Sequence, residues 1–319
     1  MTDSIRLAVV VPAYRVSGRI LGVIGSIPVE VSRIYVVDDC CPEFSGSLVE
    51  RECSDERVQV LRHELNQGVG GSVLTGYRRA MEEGMDIIIK IDGDGQMDAS
   101  LIPHFVKPIV DGRADYTKGN RFYSLDLLKT MPTIRLFGNA VLSLVNKIAS
   151  GYWSIMDPTN GYTAISAKIL PLLPVGIIER RYFFESDMLY HLGLVRACVI
   201  DVPMRSVYAG ETSGLSVRNA ALRFPGKYVV RAFKRFVYSY LLRDFNAGSV
   251  QTILGWGLLL FGVVFGTVQW ATGVIHAEFA SSGTVMLAAL PVILGVQLLL
   301  SALYYDIQNQ PREALHPLL

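Results

Sequence analysis

The stretch IIIKIDGDGQMD, Ile87 to Asp98, joins an apolar strand to a cluster of acids. Ile87 to Ile89 and Ile91 read as a buried strand that brackets a single charged residue, Lys90. Three carboxylates come next, Asp92, Asp94 and Asp98, with Gly93 and Gly95 between them. Carboxylates two residues apart, just past the end of a strand, can converge on one point from a turn. The intervening glycines let the backbone approach whatever lies there. Like charges held that close repel unless a cation sits between them. An all-oxygen donor set favours a hard ion, Mg2+ or Mn2+, of the kind that bridges to substrate phosphates. Gln96 adds a neutral oxygen. A solvated acidic turn is the competing reading. An EF-hand loop beginning at Asp92 is excluded, because its sixth position is Met97 and its twelfth is Pro103. Asp98 or Ser100 is placed to cap a helix starting near Leu101, with Pro103 in its first turn.

Working outward, Leu7–Val11 is a continuous apolar run suited to a central parallel strand, and it ends at Pro12-Ala13-Tyr14. A helical spacing occupies residues 20–27. A second strand, Ile34–Val37, ends in Asp38-Asp39, and a third, Val58–Leu61, runs into HELNQGVGGSVLTGY. Strands and helices alternating at short intervals predict an α/β fold with a doubly wound, mostly parallel sheet. Ligands in such sheets sit at the carboxyl ends of the strands. Those ends carry Pro12–Tyr14, Asp38-Asp39, Asn66–Gly68 and Asp92–Asp94. Gly68, Gly70 and Gly71 do not make G-x-G-x-x-G, since the last position would be Val73, and they come after the third strand. A dinucleotide-binding oxidoreductase is therefore disfavoured. The run reads either as a cradle for a diphosphate or as a tight strand-to-helix turn.

Further on, YTKGNRF reads as a strand ending in Arg121, and Arg135 falls on a helix running to about Ser150. DPTNGYTAI is a turn feeding a strand. In RRYFFESDMLYHL, Glu185 and Asp187 interrupt an apolar helix, where burying them unpaired would be costly. They are either a solvated face or functional acids. Val199–Arg205 is a last strand, ending in Arg205.

Composition then shifts. Half of the 319 residues are hydrophobic, 18% are charged, and the formal net charge is +1. Those figures lean towards a membrane protein. The four cysteines lack metal-ligand spacing and read as reduced thiols. The N-terminus lacks the basic start and long apolar region of a secretory signal. Between Val217 and Asp244 lie seven basic residues with interleaved aromatics, the pattern of an amphipathic helix on an anionic membrane surface. Nucleic-acid binding is the alternative for such a segment, and two apolar runs immediately after it argue against that. Residues 245–275 and 279–305 contain no Asp, Glu, Lys or Arg, and each run is long enough to span a bilayer. The basic flank precedes the first run and the short link carries none. The positive-inside rule then puts the N-terminal domain and the tail in the cytoplasm, joined by a hairpin in the inner or plasma membrane. The expected organisation is a catalytic domain at 1–216, an interfacial region at 217–245, two spans within 246–306 and a tail at 307–319.

VVVPAY, VVDD, NQGVGG, IDGDGQMD, KGNRF, DPTNGYTAI and FFESDML, in this order, make residues 7–216 resemble a family 2 inverting glycosyltransferase of the GT-A fold. The resemblance is to the polyprenyl- or dolichyl-phosphate sugar synthases, with the C-terminal spans similar to their membrane-anchored bacterial members. It implies that Asp92, Asp94 and Gln96 hold Mg2+ or Mn2+ on a sugar-nucleotide diphosphate. It implies nucleotide contacts from Pro12, Ala13, Tyr14, Asp38, Asp39, Gly68 and Asp92. Arg121, Arg135 and Arg205 match arginines expected to grip an acceptor phosphate. Asp94, Glu185 and Asp187 are the implied catalytic acids. The expected partners are a nucleotide-sugar donor, UDP- or GDP-linked, a polyprenyl-phosphate acceptor and a membrane, with the oligomeric state open, a homo-oligomer included. A lipid phosphate needs no general base, whereas a sugar hydroxyl on a lipid-linked glycan would require one, with Asp187 preferred. A non-catalytic sugar-nucleotide binder is the remaining alternative. The chain departs from the family at Arg15 and Val16, where VPAYN-E is usual, in the two glycines of the acidic turn, and at Gly214, where lysine is common.

Overall fold

A computed structural model describes residues 5–123, 133–204 and 217–319. Seven strands form one sheet in the order β3-β2-β1-β4-β6-β5-β7: β1 Leu7–Ala13, β2 Arg33–Asp38, β3 Val58–Arg62, β4 Ile87–Lys90, β5 Tyr116–Asn120, β6 Thr163–Ser166 and β7 Val199–Pro203. Only β6 among these runs antiparallel, wedged between β4 and β5. The apolar runs read from the sequence form strands, buried at β1, β2 and β4 and only partly buried at the edge strand β3, and the fold is the mostly parallel α/β sheet they predict.

Both faces of the sheet are covered, so alternate residues enter two separate cores. Ala8, Val10, Tyr35, Val37 and Ile88 pack under α3 (Val69–Glu82) and α6 (Phe184–Val195), against Val73, Tyr77, Phe184, Met188 and Leu192. Val9, Val11, Ile34, Val36, Ile87 and Ile89 pack against α1 (Ile20–Ser26) and α4 (Ile102–Val110) through Ile20, Ile24, Ile102, Phe105 and Ile109. Each such Val, Ile, Leu, Met or Phe side chain fully removed from water contributes roughly 1.5–3 kcal/mol. Helices α2 (Ser45–Glu52) and α5 (Thr133–Ser150) complete the connections. Asp98 accepts from Ser100 N at 2.9 Å, capping the turn that leads into α4, as its sequence position suggests.

The alternation has a consequence at β4. Ile87 and Ile89 face α4, so Ile88 and Lys90 must face α6. Lys90 pairs in register with Thr163 of β6, Thr163 with Lys118 of β5, and Lys118 with Asp201 of β7. One row near the carboxyl ends of the parallel strands is thus polar across four strands.

The chain divides into two compact units, residues 1–232 with 311–319, and residues 233–310. Within the first, α7 (Val217–Phe236) lays Tyr228 against Phe183 and donates Lys227 and Arg231 to Glu179 and Asp187. Those two bases, expected on a membrane-facing stripe, are used inside the protein. The final residues also belong to this unit: the buried Asp115 carboxylate accepts from the amides of Cys198, Leu315 and His316, and pairs with His316 Nδ1 at 2.9 Å.

The second unit holds α8 (Ala247–His276) and α9 (Ser282–Gln308), a hairpin of two helices long and apolar enough to cross a membrane, with mean hydropathies of 1.8 and 2.3. Their backbones come close at small residues. A Cβ on Gly262 would lie 2.7 Å from Ala288 O, and one on Gly295 would lie 2.7 Å from Leu259 N. Arg235 and Tyr240 both bond Asp306 near the base of the hairpin.

Candidate active site

Parallel strands deliver their functional groups to one edge of the sheet, and the first of these is the turn after β4. Asp94 Oδ1 accepts from the backbone N–H of Gln96 at 3.0 Å, an Asx-type turn that fixes Asp94. Arg19 of the β1–α1 connection donates to Asp94 O at 3.1 Å. A Cβ on Gly93 would lie 3.1 Å from Pro12 O, so the end of β1 abuts the turn. Tyr14, just past β1, is 42% exposed, with the Arg15 guanidinium 5.5 Å from its ring.

Asp92 is held from the end of β4. Its Oδ1 lies 2.9 Å from Lys90 Nζ, and the same ammonium bonds Glu185 Oε1 at 3.0 Å. Lys90 is 1% exposed. Burial alone would depress its pKa, but the two carboxylates outweigh that and hold it above the ordinary lysine value. Gly161 closes this cluster from the β6 side, since any Cβ there would collide with Lys90 Nζ and Asp92 Oδ2. Of the two acids that interrupt FFESDML, Glu185 is therefore the one that belongs with Asp92.

Asp187 does not join them. It is fully buried, bonded by Arg231 Nε at 2.5 Å and by Glu179 N at 2.8 Å, with His191 Nδ1 3.7 Å from its Oδ2. Its carboxylate locks α6 to α7.

Asp38 and Asp39 are buried and shape loops. Asp38 accepts from Cys41 N and Gly46 N at 2.7 and 2.8 Å. Asp39 accepts from Gln67 N and Gly68 N, both at 2.8 Å, and pairs with His63 Nδ1 at 2.7 Å. Gly68 sits at φ +87°, a conformation glycine adopts without strain, and Gly71 N donates to Arg180 O at 3.0 Å. The amides of Gln67, Gly68 and Gly71 are thus taken by protein acceptors, which favours the tight-turn reading of this loop over a diphosphate cradle.

Arg121 comes just after β5 and is held in a fork by the buried Asp157, Nε to Oδ2 at 2.7 Å and Nη2 to Oδ1 at 3.0 Å, while its side chain stays 30% exposed. Nearby, burial pushes Asp201 up to about 6, although Asn120 Nδ2 and Met156 N both donate to it. Burial likewise pushes the Lys118 ammonium, which bonds Asn160 O, down to about 8. Arg205 and the side chain of Arg135 lie outside the described residues.

Lys90 and Arg19 also reach the acidic turn, though neither is among the residues the sequence marks as functional. Lys90 is visible as the one charge inside IIIKI. Arg19 has no signal beyond its place five residues after Tyr14.

The acidic turn suits a divalent ion of the kind that takes one or two protein carboxylates and completes its shell with phosphate and water. Asp92 and Asp94 are hard oxygen donors on one short turn. Among the described residues no group of three or more His, Cys, Asp or Glu side chains forms a closed protein cage. Asp92 and Asp94 would hold the ion, and the side-chain oxygen of Gln96, the third expected donor, is not the atom used in the bond from Gln96 N to Asp94.

Comparisons with known proteins bear on the family and the fold. The chain is 31% identical over 152 residues to UDP-N-acetylglucosamine–dolichyl-phosphate N-acetylglucosaminyltransferase of Methanococcus voltae, covering 48% of this chain and 60% of that one. It is 27% identical over 206 residues to undecaprenyl-phosphate mannosyltransferase of Micrococcus luteus, covering 63% and 84%. In fold it is similar to glucosyl-3-phosphoglycerate synthase from Mycobacterium tuberculosis, solved with Mn2+, UDP and glucosyl-3-phosphoglycerate. That match has a TM-score of 0.52 and 17% identity over 72% of this chain and 79% of that one. The sequence profile of the family described as glycosyl transferase family 2 matches residues 8–172, from β1 through the acidic turn to the end of β6 and beyond, and the chain belongs to that family.

Proposed function

We propose that this protein transfers a sugar from a nucleotide-diphosphate donor, UDP- or GDP-linked, to a polyprenyl phosphate, inverting the anomeric centre. The observation that carries the reading is the pair Asp92 and Asp94 at the carboxyl end of β4, with the Lys90–Glu185 ion pair beside it. The relatives named for dolichyl- and undecaprenyl-phosphate transfer support the acceptor class.

A bound Mg2+ or Mn2+ supplies positive charge to the departing diphosphate. The rest falls to the chain's own residues. Tyr14 and the end of β1 flank the donor side, where Arg19 fixes the turn through Asp94 O. An oxygen of the acceptor phosphate attacks the anomeric carbon from the face opposite the diphosphate. One carbon–oxygen bond forms as the other breaks, and the nucleoside diphosphate leaves. Arg121, fixed by Asp157, suits an acceptor phosphate, because a pre-oriented guanidinium binds oxyanions with little further ordering. Arg135 and Arg205 are proposed to share that task. An anionic acceptor needs no general base, so catalysis here is positioning and electrostatics. The burial of Asp187 against Arg231 is consistent with this, since the preferred base for a hydroxyl acceptor is committed elsewhere.

The apolar hairpin supports a membrane-anchored enzyme with its N-terminal unit on the cytoplasmic side. The test is transfer of radiolabel from a panel of UDP- and GDP-sugars to polyprenyl phosphate by purified protein in detergent. Label in the organic phase, lost with a chelator, is the expected result. Donor hydrolysis without a lipid product would overturn it.

A further inference from the structure

The acid just past β4 does not stand alone. Lys90 Nζ bonds Asp92 Oδ1 at 2.9 Å and Glu185 Oε1 at 3.0 Å, so one ammonium joins the acidic turn to a helix 95 residues away in sequence. Lys90 is 1% exposed and Glu185 is 9% exposed, whereas the Asp92 side chain keeps 30% of its surface. A buried ammonium with two carboxylate partners is a permanent internal charge, and its neighbours cannot rotate away from it without leaving a buried charge unpaired. β4 fixes its origin: the Lys90 Cα is paired to Val10 on one side and Thr163 on the other. The space around it is reserved as well, because residue 161 has no Cβ.

We infer that Lys90 is a positioning residue for donor binding: it holds one oxygen of Asp92 and so keeps the carboxylate in the orientation in which it would hold a metal ion on the donor diphosphate, and it draws Glu185 into the same cluster. The inference rests on the reading of Asp92 as a donor-side acid. A purely structural lysine would stabilise the fold and leave binding per folded molecule unchanged. A positioning lysine must act on the affinity of the acidic turn, as second-layer partners of metal ligands do.

The experiment is calorimetric titration of Mn2+ with UDP or GDP into the full-length protein in detergent, with no acceptor, alongside thermal unfolding. It compares wild type with Lys90→Met, Lys90→Arg, Glu185→Gln and the double variant Lys90→Met/Glu185→Gln. Lys90→Met is expected to weaken Mn2+–nucleotide binding per folded molecule by roughly 10–100-fold. Lys90→Arg, which can bond both carboxylates, should recover most of that loss. The double variant, with no buried Glu185 charge left unpaired, should regain thermal stability without regaining affinity. If the folded double variant binds Mn2+–nucleotide like wild type, the inference is overturned. If Asp92→Ala binds like wild type, the donor-side reading itself fails. Weakened binding in Lys90→Met with no lipid product from wild type would leave the inference standing and refute the acceptor.

Discussion

Arg231 of α7 places its Nε 2.5 Å from Oδ1 of Asp187 on α6, while Glu185, two residues earlier on the same helix, bonds Lys90. Successive odd positions of one helix turn thus face two different ion pairs. The two acids that look equivalent in FFESDML therefore do different work. Asp187→Ala leaves Arg231 without its carboxylate and the Glu179 amide without its acceptor. Breaking a buried pair from one side costs about 3–5 kcal/mol. Asp187→Ala should lower the unfolding temperature sharply, by thermal denaturation in detergent. Glu185→Gln should be far milder in stability but lose at least about tenfold in transfer. The opposite ranking would mean Asp187 is the functional acid.

Asp94→Ala should separate chemistry from folding in the other direction. Asp94 lies on a turn outside both cores, and its local bond is to the Gln96 amide. If Asp94 holds the proposed cation on the donor diphosphate, its loss should cost on the order of 100–1,000-fold in turnover. The unfolding temperature should move by only a few degrees, and metal stimulation of transfer should vanish. Near-normal turnover in this variant would remove Asp94 from the site.

Asp201 predicts a pH dependence. Burial raises its folded pKa from 3.8 to about 6, so the folded state holds its proton more tightly than the unfolded chain does. Its Oδ1 is a buried atom with no hydrogen-bond partner among the described residues. Stability should therefore fall as pH rises from about 4 to 6 and stay flat above that, the reverse of the usual carboxylate. Asp201→Asn keeps an acceptor for Asn120 and Met156 and removes the charge. At pH 7.5 it should gain of order 1–3 kcal/mol, with the slope between pH 4 and 6 reduced. Denaturant titrations at several pH values read both effects, and an unchanged slope would assign it elsewhere.

The sheet and the acidic turn are legible in the sequence because both are local: an apolar run leading into Asp-Gly-Asp needs no partner to be recognised. What joins Lys90 to Glu185 is the packing of α6 on the sheet, and what joins Lys118 to Lys90 through Thr163 is register, which depends on β6 entering antiparallel between β4 and β5. Nothing in the order of the strands along the chain announces that. The basic stripe at 217–244 misleads in part for a related reason. Its spacing is helical and amphipathic, but charge pattern alone does not distinguish an anionic lipid from Glu179 and Asp187 as the partner of Lys227 and Arg231. The end of the chain carries no signal at all, since a backbone amide bonding Asp115 can belong to any residue.

That end is tied to a buried carboxylate. Asp115 is fully buried, and besides Cys198 N its acceptors serve only Leu315 and His316 among the described residues. Deleting residues 311–319 would leave a buried carboxylate with one backbone donor. Orphaning a buried charged acceptor costs about 1–3 kcal/mol or more. The deletion should lower the unfolding temperature of the catalytic unit by several degrees without changing the Mn2+–nucleotide affinity of the molecules that remain folded. Asp115→Asn should destabilise too, because an amide keeps one acceptor oxygen where the carboxylate has two. If the tail acts through Asp115, deletion and substitution together should cost much less than the sum of the two alone. Additive losses would mean that the tail is held by its other contacts, such as Pro317 against Gly112 and His316 O against Lys168, and that Asp115 serves Cys198 alone.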